Sequence, residues 1–145
     1  MRHGVTSDLT VTELPETVVV DASVLVDLLA GTEVAPAART RLARAVLHAP
    51  AHLDAEVLSA LGRLQRAGEL ATGDVDAGLV HLTALPVTRH DLPTLLAGAW
   101  ARRGDLRLLD ALYVELAARL GVRVLTTDRR LARACPLAEA ITGAN

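Results

Sequence analysis

Four acidic residues, Asp21, Glu56, Asp110 and Asp128, have the types and positions from which metal-assisted chemistry is built. Asp21 ends the apolar run Thr17-Val18-Val19-Val20, and Asp128 ends a second, Val122-Arg123-Val124-Leu125-Thr126-Thr127. Glu56 and Asp110 interrupt the apolar faces of two expected helices. Carboxylates at strand ends and on otherwise buried helix faces are costly unless something pairs with them. A divalent cation is the natural partner, because Mg²⁺ and Mn²⁺ favour oxygen ligands. Carboxylates converging on such an ion lower the pKa of a bound water, stabilise charge on a phosphate and hold attacking and leaving oxygens in line. The chemistry would be phosphodiester hydrolysis without a covalent intermediate.

Each acid also has an ordinary explanation. Asp21 could be a turn or helix-capping carboxylate, and Asp128 could cap a helix starting at Arg129. Glu56 lies at the edge of the stripe Leu53, Val57, Ala60, Leu61 and Leu64, where a solvated Glu is common. Asp110 is the most informative. Its helical neighbours are Leu106, Tyr113 and Val114, and the helix is expected to bury Leu109, Leu112, Leu116 and Leu120. Asp is a poor helix-interior residue and an expensive one on that side. The four together are harder to explain away than any one alone.

The elements that must position these acids follow from periodicity and punctuation. Val18–Val20 reads as a buried strand. Ser23 is expected to cap a helix through Leu29, stopped by Gly31. Thr32 or Glu33 opens another with Pro36 in its first turn. Ala45–His48 is a strand ended by Pro50, and a helix runs from Leu53 to Ala67, stopping at Gly68. Thr72 caps a helix to Leu82, and Pro86–Arg89 is a strand. Asp91 caps a helix with Pro93 at its start, reaching Ala101. Leu106–Leu120 is a long helix closed by Gly121. Arg123–Thr126 is a strand, Arg129–Ala134 a short helix and Ala138–Ile141 an edge strand. Strands alternating with helices imply an α/β fold with a central, mostly parallel sheet. Functional groups in such sheets collect beyond the carboxyl ends of the strands, where Asp21 and Asp128 fall.

Composition narrows the function classes. The 145 residues make one domain, with 51% hydrophobic residues to fill its core. Residues 1–14 are expected to be a flexible arm and residues 15–145 the domain. There is no Phe and only one Trp and one Tyr, so the core must be Leu, Val and Ala. All 15 basic residues other than His are Arg, which excludes mechanisms that need a catalytic Lys. A net charge of −2 offers no global field to attract nucleic acid. Cys135 is alone, which fits a reducing, cytoplasmic compartment, and is read as a small buried hydrophobe. No run approaches the roughly 18 apolar residues of a membrane span, and the first residues lack the apolar segment of a signal peptide.

The chain resembles PIN-domain ribonucleases of the VapC toxin type. The resemblance is carried by Val18-Val19-Val20-Asp21-Ala22-Ser23-Val24-Leu25-Val26, Ala49-Pro50-Ala51-His52-Leu53-Asp54-Ala55-Glu56-Val57, Leu109-Asp110-Ala111-Leu112-Tyr113-Val114-Glu115-Leu116-Ala117 and Leu125-Thr126-Thr127-Asp128-Arg129-Arg130-Leu131. No segment is specific alone; the ordered set is. It implies a three-layer α/β/α fold and a site of Asp21, Glu56, Asp110 and Asp128 holding Mg²⁺ or Mn²⁺ to cleave RNA. It further implies an antitoxin partner that occludes the site, and a homodimer. Ser23 and Thr127 fall where the family often has a hydroxyl assisting the metal or its water. The chain departs from many relatives in having Leu109 where they place an aromatic, and Arg130 where some carry a further acid.

Other readings fare worse. A haloacid-dehalogenase-like phosphatase needs a second acid where this chain has Ser23, and a basic residue that is normally Lys. A response-regulator receiver needs a Lys and paired N-terminal acids. A PIN fold used only for binding, or a DNA substrate, remain the alternatives. Arg129, Arg130 and Arg133, with Arg102, Arg103 and Arg107, are candidate phosphate contacts or solvated helix faces. Asp105 reads as a cap and Asp54 as exposed. His48, His52, His81 and His90 show no zinc-like spacing. Trp100 is expected to anchor the core.

Overall fold

The computed structural model of the chain describes residues 14–143, so the expected arm, Leu14 apart, lies outside the described residues. Five strands, β1 (Glu16–Val20), β2 (Ala45–Pro50), β3 (Val87–His90), β4 (Val124–Thr126) and β5 (Ala138–Ala140), form one sheet in the order β3-β2-β1-β4-β5. Every ladder is parallel. Val18, Val19 and Val20 in β1, and Val124 and Leu125 in β4, are wholly buried. A β-branched run with no polar alternation is what a parallel strand covered on both faces requires.

Helices α1 (Ala22–Ala30), α2 (Ala35–Leu42), α3 (Leu53–Arg66) and α4 (Thr72–Ala84) pack together on one side of the sheet. A 3-10 turn (Pro93–Leu95), α5 (Leu96–Ala101) and α6 (Leu108–Leu120) form the other layer, and α7 (Arg129–Ala134) joins β4 to β5. The result is the three-layer α/β/α arrangement. α1 and α6 both end at glycines in the left-handed region, Gly31 at φ 69° and Gly121 at φ 70°. A side chain there would crowd the backbone, so glycine is the residue that lets the chain turn back toward the sheet.

Several expected details differ. Ser23 lies inside the first turn of α1 and Asp21 occupies the capping position without making a side-chain cap bond. Thr72 is likewise already helical, and α4 is capped from within, Asp74 accepting the Ala71 N–H at 3.2 Å. Asp91 caps nothing, because Leu92 precedes the 3-10 turn, and Arg107 rather than Asp105 or Leu106 precedes α6. Asp54 forms a two-pronged ion pair with Arg89, at 2.7 and 2.8 Å. α6 buries Leu112, Tyr113, Val114 and Leu116, whereas Leu109 and Leu120 are exposed.

Trp100 does not anchor the core; it is 57% exposed, with the Arg103 guanidinium 4.6 Å from its ring centroid. α5 meets α6 through small residues: Ala99 is buried, and Gly98 lies so close to the Glu115 carboxylate that a Cβ would clash with it. Such close approach leaves no room for an indole on that face. The aromatic volume in the core comes from Tyr113 instead, which is wholly buried. Cys135 is buried and unbridged.

Candidate active site

The strand order places a topological switch point between β1 and β4. The chain steps outward from β1 through β2 to β3, then returns to the other side of β1. Crossovers leave the carboxyl ends of β1 and β4 in opposite directions, opening a crevice between them. Asp21 follows β1 and Asp128 lies just beyond β4, so both flank that crevice. α3 and α6 supply the remaining walls. Asp21, Ser23, His52, Glu56, Asp110 and Asp128 all line one cleft of about 680 Å³.

Asp21 is the most buried of the four acids, at 5% exposure. Its Oδ2 accepts the Ser23 hydroxyl at 2.6 Å and the Thr126 hydroxyl at 2.8 Å. Thr126 Oγ1 in turn accepts the backbone N–H of Asp128 at 2.9 Å, and Ser23 Oγ accepts that of Thr127 at 3.0 Å. Two short side chains thus stitch the end of β1 to the end of β4. Burial raises the Asp21 pKa; the Ser23 and Thr126 bonds oppose the shift, and Glu56 and Asp128 add to it.

Asp110 stands in the first turn of α6, half-buried at the cleft wall. Its pKa is pushed from 3.8 up to about 6, first by burial and then by the charges of Asp21, Asp128 and Glu56, against a smaller pull from Arg130. Asp128 does what was expected of it as a cap: Oδ1 accepts from the N–H groups of Arg130 at 2.9 Å and Leu131 at 3.4 Å. It lines the cleft as well, so capping does not remove it from the site. Its Oδ2 lies 3.5 Å from the Arg130 guanidinium. Glu56 Oε1 accepts the Tyr113 hydroxyl at 2.7 Å. Burial and that bond raise the Tyr113 pKa far above the ordinary value, so the hydroxyl keeps its proton.

Of the two hydroxyl residues singled out in the sequence, Ser23 bonds directly to Asp21, whereas Thr127 joins the network through its backbone N–H. The hydroxyl on Asp21 from β4 belongs to Thr126, which sequence reasoning missed. Strand alternation was the available signal: neighbouring residues point to opposite faces, so only one of two adjacent threonines can reach β1's end. Arg63 was missed too. It lines the cleft and lies seven residues, about two turns, after Glu56 on α3, a spacing that puts both on one face. Arg107 and Arg130 line a smaller pocket on the far side of Asp110. Tyr113 was expected only as a helical neighbour of Asp110, and His52 only as a histidine without a zinc-like partner.

The donor set suits a hard divalent ion. It offers carboxylate oxygens, and their mutual repulsion is what a cation relieves. Among the described residues no three His, Cys, Asp or Glu side chains stand close enough together, as placed, to hold a metal ion.

A three-layer parallel α/β domain with carboxylates gathered at its switch point is the architecture of the PIN domain, and the PIN-domain family model matches residues 18–136. The chain belongs to that family and, within it, to the VapC ribonucleases. It is 65% identical over 131 residues to ribonuclease VapC3 of Mycobacterium tuberculosis H37Rv, covering 90% of this chain and 96% of the relative. Among solved structures, a toxin–antitoxin complex from Klebsiella pneumoniae superposes with a TM-score of 0.62 over 88% of this chain and 99% of that one, at 15% identity. Mycobacterium tuberculosis VapC20, titled a sarcin–ricin loop cleaving toxin, gives 0.62 over 81% and 94%, at 18% identity. At these identities the structural likeness speaks for the fold alone.

Proposed function

We propose that this chain is a metal-dependent endoribonuclease, the toxin of a toxin–antitoxin pair. The observation that carries the reading is the switch-point cleft, which Asp21, Glu56, Asp110 and Asp128 line together and where burial, with the neighbouring charges, pushes the Asp110 pKa up to about 6. The identity to a relative named a ribonuclease supports RNA as the substrate. Mg²⁺ or Mn²⁺, when bound, supplies a Lewis acid for the phosphate and a means to ionise water near neutral pH.

The residues of the chain do the rest. Asp21, Glu56, Asp110 and Asp128 would hold the ion directly or through water. Ser23 and Thr126 keep the Asp21 carboxylate in one rotamer by two hydrogen bonds to the same oxygen. Asp128 is oriented by the first amides of α7. Arg63 at the cleft wall and Arg130 beside Asp128 are placed to meet phosphate oxygens, for which guanidinium groups are well shaped. Thr127 contributes through its backbone.

Residues 15–145 form one nuclease domain in this reading. An antitoxin partner is part of this reading, as the likeness to the VapC ribonucleases implies. A homodimer is supported by exposed apolar side chains on α3, α4, α5 and α6, among them Leu58, Val80 and Leu109. No helix among the described residues is long and apolar enough to cross a membrane, and the proposed location is cytoplasmic.

The test is cleavage of a pool of structured RNAs by purified protein, with and without Mg²⁺ or Mn²⁺, beside Asp110→Asn. Metal-dependent cutting that the variant loses supports the proposal. Cutting that persists undiminished in Asp110→Asn refutes the site. No cutting and no metal binding by calorimetry would leave a binding module.

A further inference from the structure

Glu56 reaches the cleft from α3 on a long side chain, and such a side chain loses appreciable rotamer entropy when held in one place. Something must hold it. Tyr113 is the only tyrosine of the chain, and it is wholly buried on α6, one turn after Asp110. Its hydroxyl donates to Glu56 Oε1 at 2.7 Å. His52, one turn before Glu56, lies with Nε2 3.4 Å from the same carboxylate oxygen and 3.2 Å from the backbone carbonyl of Leu109. Its side chain is one-tenth exposed, and its ring leans on the Tyr113 ring at a centroid separation of 4.8 Å.

The hydrogen positions follow from the partners. Both atoms facing His52 Nε2 are acceptors, so Nε2 carries a hydrogen. Nδ1 is buried and has no hydrogen-bond partner among the described residues. Packing alone does not account for this arrangement. Phe would fill the space of Tyr113 without burying a hydroxyl, and Leu would fill much of the space of His52 without leaving a ring nitrogen unpaired. The polar atoms earn their place only at Glu56 and at the Leu109 carbonyl, which belongs to the residue just before Asp110.

We infer that Tyr113 clamps Glu56 Oε1 through its hydroxyl and that His52, bonded to the Leu109 carbonyl and close to the same carboxylate oxygen, braces the pair, which turns the rest of the carboxylate toward the cleft and ties α3 to α6 where each contributes an acid. The two are positioning residues, and the inference rests on the metal reading of the preceding subsection. α6 then places two acids: Asp110 from its own backbone and Glu56 through the Tyr113 hydroxyl. Removing the hydroxyl leaves Glu56 in place on α3 but free to swing, so metal affinity falls while the fold stays.

The experiment is Mn²⁺ titration by calorimetry on the wild type, Tyr113→Phe, His52→Leu and His52→Gln, with thermal melts of the metal-free proteins alongside. Tyr113→Phe is expected to weaken Mn²⁺ binding by about tenfold or more, as loss of an outer hydrogen bond to a metal ligand does. His52→Gln, which keeps an N–H near the position of Nε2, is expected to bind more tightly than His52→Leu. In a Glu56→Gln background, Tyr113→Phe is expected to change affinity no further, because the clamp acts through Glu56. Wild-type affinity in Tyr113→Phe, with or without a shift in melting temperature, overturns the clamp while leaving the metal site standing. An equal loss in the Glu56→Gln background also overturns it, since Tyr113 would then act elsewhere. A wild-type protein that binds no Mn²⁺ overturns both the clamp and the metal reading. If His52→Leu fails to fold, Tyr113→Phe, which removes one oxygen from an unchanged ring, decides alone.

Discussion

The acids of this chain fall into two groups that the fold treats in opposite ways. Beneath α2, Glu16 and Glu139 meet Arg41, which donates to Glu139 at 2.7 and 3.1 Å and to Glu16 at 2.8 Å. Glu115 is held in the same manner between Arg102 and Arg119, and Asp54 by Arg89. Arginine pulls the pKa values of Glu139 and Glu115 down. In the switch-point cleft the partners are mainly neutral hydroxyls and other carboxylates, with Arg130 at the rim; burial first, and the neighbouring carboxylates second, raise the pKa values of Asp21 and Asp110. The paired acids stabilise the domain. The cleft acids carry the opposite sign, the pattern that the proposed metal site calls for.

The comparison breaks first at activity. Asp21→Asn keeps acceptors for Ser23 and Thr126 but loses the charge, so cleavage of a metal-supplied RNA substrate is expected to fall on the order of a thousandfold. Glu139→Gln is expected to leave the cleavage rate within about twofold, measured on the same substrate. Stripping divalent ions with a chelator is expected to abolish cleavage. Re-adding Mn²⁺ at 100 times its dissociation constant should stabilise the fold by about 2.7 kcal/mol, read as a rise in melting temperature. A melting temperature indifferent to metal would place the cleft acids with the structural ones.

A finer test separates two neighbours. Thr126→Val removes a donor to Asp21 and an acceptor for the Asp128 N–H while preserving shape. It is expected to lower turnover or metal affinity by about tenfold to a hundredfold. Thr127→Val, which keeps the backbone N–H bonded to Ser23, is expected to change either by less than about threefold.

The two groups also differ in sign with pH. Folded Asp110 holds a proton up to about pH 6, whereas the unfolded chain releases it near 3.8. Its contribution to the stability of the metal-free protein therefore declines as pH rises through this window, and is lost in Asp110→Asn. Glu139 runs the other way: its pKa lies below the ordinary 4.5, so its contribution is present above that value and lost as pH falls through the lowered one. Thermal melts of metal-free wild type and Asp110→Asn from pH 4 to 7 check the first slope. The smallest effect belongs to Arg41→Ala. Its partners are partly solvated, so the expected loss is about 1 kcal/mol or less, without loss of cleavage.

Much of this was legible in the chain. The valine run before Asp21 and the run before Asp128 could only be buried parallel strands, and their carboxyl ends mark the switch point once strands and helices alternate. Glu56 and Asp110 announced themselves as charges on apolar stripes. Trp100 misled because size and hydrophobicity favour burial on average, while the face of α5 that meets α6 is occupied by Gly98 and Ala99, and Trp100 lies off it. The capping expectations at Ser23, Thr72 and Asp91 failed by one or two positions, because several residues near a helix start can supply the cap.

By itself, the order of apolar runs, turns and acids determined the layered parallel fold and the set of carboxylates that could share one site. These follow from local periodicity and from the cost of stranding charge in a core. Only the tertiary structure decided which neutral groups hold those carboxylates. Thr126 reaches Asp21 across two strands. Tyr113 reaches Glu56 across two helices, and Arg63 turns into the cleft while other arginines turn away to pair with acids. Hydrogen bonds of a few ångströms between residues tens of positions apart depend on packing angles and rotamers, and no spacing along the chain encodes them.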